Sequence, residues 1–193
     1  MSAETLSPEA TIQRPMMEAR STPIQVANFF IDRGLYSGEA ITHLKLQKLL
    51  YVAYGWYLAQ FGKPLFHEPL QAWRYGPVIL SIYMHLKHYG SNSITQCISA
   101  SQAKSQATMP NPADHVLIRF LNDIWSGYSS HSADELTDYS HATGSPWFKV
   151  VSMWKSRGAS VPLGYDIPDE LITDYFKGEK ARLSEFNPGI RTN

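Results

Sequence analysis

The run from Leu44 to Phe61 constrains this chain more than any other. Leu46, Leu49, Leu50, Ala53, Tyr57 and Phe61 recur at steps of three and four, the spacing of one helical face. Thr42 stands where an N-cap belongs, and Gly62 and Pro64 stop the pattern. The segment is apolar or aromatic on most sides, so the helix is expected to be central in the fold. Gly55 inside it costs about 1 kcal/mol relative to Ala and marks the close approach of another backbone.

Further elements gather around this helix. Thr22-Pro23-Ile24-Gln25 combines a cap, a proline suited to the first turn and a glutamine that closes a capping box. Ile24, Ala27 and Ile31 then share a face, and Gly34 is the expected end. Leu65-Phe66 and Leu70–Tyr75, separated by His67-Glu68-Pro69, predict a small β-hairpin. Gly76-Pro77 turns the chain into a helix carrying Val78, Ile82, Leu86 and Tyr89. Residues 91–111 hold one charge, Lys104, and no apolar period, so a surface loop or disordered insert is expected. Asn111–Asp114 reopens a helix with Leu117, Phe120, Leu121 and Ile124 on one face. Ser132-Ala133-Asp134-Glu135 is a capping box for a helix reaching His141, Ser145-Pro146 opens a short helix through Trp154, and a last helix starts at 166–169. The expected fold is mainly α: a single compact helical domain of about six to seven helices with one small β-hairpin. Residues 22–185 form that domain, with 91–111 as a polar surface loop. Residues 1–21 read as a flexible arm and 186–193 as a tail.

Composition bounds the function. At 193 residues the chain suits one domain. Lys+Arg and Asp+Glu both number 17, so no global field draws it to nucleic acid or anionic lipid. Cys97 is the single cysteine, which excludes an internal disulfide and any cysteine-based zinc site. Residues 1–20 carry Glu4 and Glu9 and no apolar run, unlike a secretory signal. The longest apolar stretch, Leu49–Ala59, has eleven residues, against about 20 for a membrane span. A soluble, cytoplasmic protein without membrane contact is expected.

No catalytic pattern emerges. His85 and His88 sit three apart, yet nothing nearby completes a metal set. His131 and His141 flank a helix rather than sharing a turn. Cys97 lies in a polar loop that supplies neither a base nor a lowered pKa. Asp134, Glu135 and Asp138 fall at the start of a helix, where the macrodipole favours negative charge. No phosphate loop, dinucleotide fingerprint or serine elbow is present, so no enzyme, metal or cofactor is expected. Lys45, Lys48 and an Arg74 set between Trp73 and Tyr75 are a thin footprint for nucleic acid. What stands out is aromatic density: nine of the 24 aromatic residues lie between Tyr51 and Tyr83. Most belong to a core, but aromatic anchors also dominate protein interfaces.

Leu44-Lys45-Leu46-Gln47-Lys48-Leu49-Leu50-Tyr51, then Gly62-Lys63-Pro64-Leu65-Phe66, then Ala72-Trp73-Arg74-Tyr75-Gly76-Pro77-Val78 with Tyr83, resemble the Panacea domain, earlier described as a phage-associated, GepA/SocA-like domain of unknown function. A weaker second block runs from Glu135-Leu136 to His141 and Pro146-Trp147. The resemblance implies a largely helical, non-catalytic antitoxin that binds and neutralises a toxin protein, expected from an adjacent gene. Some relatives resemble adaptors that hand the toxin to an ATP-dependent protease. A DNA-binding regulator of its own operon is the third reading. The resemblance and the aromatic cluster together nominate Lys48, Trp73, Arg74, Tyr75, Gly76, Pro77 and His141 as partner-binding residues, with Lys48, Arg74 and His141 setting charge matching through their exposed parts.

Overall fold

A computed structural model describes residues 19–186. Its elements are α1 (Pro23–Ser37), α2 (His43–Phe61), β1 (Gln71–Trp73), β2 (Gly76–Val78), α3 (Leu80–Leu86), a 3-10 turn (Lys87–Tyr89), α4 (Ala100–Ala103), α5 (His115–Tyr128), α6 (Ala133–His141), α7 (Pro146–Ser156) and α8 (Asp169–Phe186). The architecture is mainly α with one two-stranded antiparallel sheet, as expected.

Helix α2 is the hub. It packs against α1, α5, α6, α8 and β2, and Leu46, Leu49, Leu50, Tyr51, Val52 and Ala53 have no exposed surface. From Lys45 to Gly55 the helix is buried on every side and needs neighbours all round, which its sequence foretold. The capping chemistry is local and follows the sequence. Thr22 and Gln25 form a reciprocal capping box at α1, as do Ser132 and Glu135 at α6. Thr42 and Ser145 accept from the backbone N–H groups of Lys45 and Phe148.

Two glycines behave differently from expectation. Gly34 does not end α1, which continues to Ser37 and is capped by Gly38 at φ 76°. A Cβ on Gly34 would stand 2.6 Å from the Ile41 side chain, so it is a packing glycine. At Gly55 the close neighbour is a ring rather than a backbone: a Cβ there would lie 2.1–2.5 Å from three atoms of Phe176. That edge of contact seats α8 on α2.

The hairpin is displaced from its expected place. Leu65 and Phe66 are buried core residues outside any strand. The turn lies at Arg74-Tyr75, with Gln71 opposite Val78 and Trp73 opposite Gly76. Val78 therefore ends a strand instead of opening α3. The other edge of β1 is covered: Ala72 N donates to Tyr165 O, and Ile167 N to Leu70 O, at 2.8 and 2.7 Å. Covered edges do not recruit foreign strands.

Residues 91–111 contain a short helix, α4, and bury Ile94 and Ile98. Asn28, buried in α1, organises this segment. Its amide nitrogen donates to Ile98 O and Thr108 O, and its oxygen accepts from Ile98 N. Of the expected N-terminal arm, residues 1–18 lie outside the described residues, as does 187–193 of the tail. Residues 19–21 are tied down: Ala19 N donates to His67, Arg20 pairs with Asp114, and Ser21 N donates to Leu65 O. Among the described residues, no helix is long and apolar enough to cross a membrane.

Candidate functional site

The nominated residues do converge, but in two layers. Trp73, Arg74, Tyr75, Gly76 and Pro77 form the hairpin and its turn. Lys48 from α2 and His141 from the end of α6 lie beneath it. Of the seven, Arg74 and Tyr75 are exposed, Trp73 and His141 are half-buried, and Lys48, Gly76 and Pro77 are buried.

Lys48 has no exposed part, contrary to the sequence reading; its relative exposure is 0%. Its Nζ donates to the carbonyl of Pro77 at 3.1 Å. The neighbouring Gln47 clamps Ile79, two residues on, both ways, accepting from Ile79 N at 2.8 Å and donating to Ile79 O at 3.2 Å. Two adjacent polar side chains of the central helix thus grip the strand leaving the hairpin. Burial pushes the Lys48 ammonium down to about 7, because a desolvated charge is disfavoured. Gln47 was not foreseen. The signal was present, since Gln47-Lys48 is an adjacent polar pair within a largely apolar helix, and buried polar groups must find partners.

Gly76 is shaped by this lysine. Its φ is +98°, and a Cβ there would meet Lys48 Nζ at 2.5 Å and Ser140 Oγ at 2.8 Å. The backbone passes directly over the ammonium, and only glycine allows both the φ and the approach. Ser140 and Ser145 are themselves buried and bonded locally, Ser140 Oγ to Thr137 O and Ser145 Oγ to Ser140 O.

The hairpin is held from two further sides. Trp147 of α7 donates its indole N–H to Trp73 O at 2.7 Å and stacks on His141, with ring centroids 3.7 Å apart and planes 12° apart. Trp73 packs on Tyr83 of α3 at 4.7 Å, and Tyr83 in turn on His43 at 5.2 Å. His43 and His141 are both held below the ordinary histidine range, first by burial and then by the nearby Lys48 charge. Among the described residues, the Nε2 atoms of both are buried without a hydrogen-bond partner, which suits neutral rings. These titratable groups sit in the support of the hairpin, not in an open cleft. Among the described residues, no three His, Cys, Asp or Glu side chains gather as a metal set.

What reaches solvent is the tip. Arg74 lies over the Tyr75 ring at 5.4 Å, and Tyr75 is 62% exposed. An aromatic and a guanidinium on a braced two-residue turn are anchors suited to a protein partner.

Residues 46–148 match the family described as "Antitoxin SocA-like, Panacea domain", a span that includes both layers of the site. Antitoxin SocA of Caulobacter vibrioides (strain NA1000 / CB15N) is 30% identical over 167 residues, covering 86% of this chain and 87% of that protein. No solved structure matches significantly. The chain belongs to the SocA-like Panacea-domain family of antitoxins.

Proposed function

We propose that this protein is the antitoxin of a toxin–antitoxin pair and neutralises its toxin by direct binding, in the cytoplasm and without catalysis. The observation that carries the reading is the braced hairpin. Gln47 and Lys48 hold its outgoing strand, Trp147 holds the carbonyl of Trp73, and the turn leaves Arg74 and Tyr75 in solvent. Preorganised contact residues lose little conformational entropy on binding. Arg74 and Tyr75 would touch the toxin. Trp73, Gly76, Pro77, Lys48 and His141 would act by fixing their position.

The test is a growth assay with the neighbouring reading frames, each induced alone and then with this protein. One neighbour should arrest growth, and co-expression should relieve it. Arg74→Glu should weaken that relief and co-purification of the pair while leaving the melting temperature nearly unchanged, because the side chain is exposed. Equal loss of melt and binding would make Arg74 a structural residue. The adaptor reading differs in one respect: deleting residues 1–18 should then preserve toxin binding but lengthen the toxin's half-life in cells.

A further inference from the structure

Charge is balanced over the whole chain but not along it. From Pro69 to Ala113 there is no Asp or Glu, while Arg74, Lys87 and Lys104 are present with His85 and His88. Within this stretch, α3 turns Ile82 and Leu86 inward. Leu80, Met84 and Lys87 stand at i, i+4 and i+7, so they share the opposite side of the helix. Leu80 is 41% and Met84 53% exposed, and Lys87 is exposed. Tyr83 flanks this side and packs on Trp73, the residue that precedes Arg74 and Tyr75. The contact of Tyr83 with Trp73 sets the exposed side of α3 beside the hairpin, with Arg74 and Lys87 as the exposed cations of the two elements.

Among the described residues, neither cation has a carboxylate partner. The partner found for Arg74 is the Tyr75 ring. The nearest acid in sequence, Glu68, is engaged at the start of α3, where Oε1 accepts from Ser81 N at 2.7 Å.

We infer that the outer face of α3 (Leu80, Met84) and its C-cap residue Lys87, together with the hairpin tip, dock an acidic amphipathic segment of the toxin. The inference rests on the antitoxin reading and specifies the chemistry of the partner. Apolar side chains seat on Leu80, Met84 and Tyr75, and carboxylates meet Arg74 and Lys87. Aromatic, Met and Arg side chains are those enriched in protein interfaces. A second copy of this chain is disfavoured, because a two-fold contact through this face would set cations against cations. Nucleic acid is disfavoured because Leu80 and Met84 are apolar and only two cations accompany them.

The experiment uses the full-length protein in complex with the growth-arresting product of the neighbouring reading frame. A photocrosslinking benzoylphenylalanine replaces Met84 in one variant and, in a control, Val116, which is 55% exposed on α5, a helix packed against α1 and α2. Position 84 should crosslink to a toxin peptide carrying both Asp or Glu and apolar residues, and position 116 should not. Met84→Glu combined with Lys87→Glu should weaken the complex about tenfold or more, less at high salt, with little change in melting temperature. Crosslinks from 84 that are absent, fall within the same chain, join two copies, or reach a toxin segment without carboxylates overturn the inference. So does affinity within about twofold for the double variant. In those cases a complex that still forms leaves the antitoxin reading standing. If no neighbour arrests growth, or none is relieved, both fall together.

Discussion

Gly76→Ala tests the support of the hairpin at its tightest point. Two costs add. The φ of +98° lies outside the regions open to a side chain, a strain of about 1–3 kcal/mol. The new methyl would also stand 2.5 Å from Lys48 Nζ, and Lys48 is fully packed. The ammonium must leave the Pro77 carbonyl, and an unmade bond to a buried polar group costs about 1–3 kcal/mol. The sum is about 2–6 kcal/mol. For a chain of this size each kcal/mol lowers the melting temperature by about 2–4 °C, so a fall of about 5–20 °C is expected in a thermal melt. The decisive arm is a double-mutant cycle with Lys48→Met. Removing the ammonium removes part of the clash, though Ser140 Oγ at 2.8 Å remains. The coupling should be about 1 kcal/mol or more in the direction of relief. If Gly76→Ala costs the same in both backgrounds, or less than about 0.5 kcal/mol in the wild type, the crowding argument is refuted.

Two other expectations follow from the same structure. Lys48 titrates near 7 in the folded protein and near 10.4 in an unfolded chain. Between those values the unfolded state binds the extra proton, so stability is fully present only above the upper value and is lost as pH falls toward 7. From pH 7 to pH 9 the wild type should gain about 2 kcal/mol in urea unfolding, and Lys48→Met should lose this component; a slope that survives the substitution would place the titration elsewhere. Asn28→Ala removes the three hydrogen bonds that fasten residues 98–108 to α1. A loss of about 2–4 kcal/mol, with the Ile98 amide the first to lose protection in hydrogen exchange, is expected; unchanged protection would show that the buried Ile94 and Ile98 hold the segment without Asn28.

The site was legible in outline. Its residues were nominated by the Ala72–Val78 block and by Lys48 and His141, and the structure does assemble them around one hairpin. Their division of labour was not legible. The sequence marks Lys48 as a charge in an apolar frame, which fits a buried strut and an exposed contact equally well. Only the position of Pro77 above α2 assigns it to the interior. Gln47, the partner strut, carried a signal only as half of a polar pair with Lys48, and its two bonds to Ile79 assign its role. The exposed side of α3 followed from the sequence only by omission: the face assigned to Ile82 and Leu86 excludes Leu80 and Met84, and the structure leaves both exposed.

The sequence by itself determined the helical class, the central helix and most of its neighbours, and the capping boxes at Thr22 and Ser132. Those features rest on contacts three or four residues apart and on the period of the apolar pattern, which any window of the chain contains. Tertiary structure decided where α1 ends, where the hairpin turns, what Gly34 and Gly55 touch, and which of seven nominated side chains reach water. The last two depend on partners far along the chain, such as Phe176 for Gly55 or Trp147 for Trp73. Burial and hydrogen bonding between distant residues are properties of the packed whole, so no local pattern encodes them.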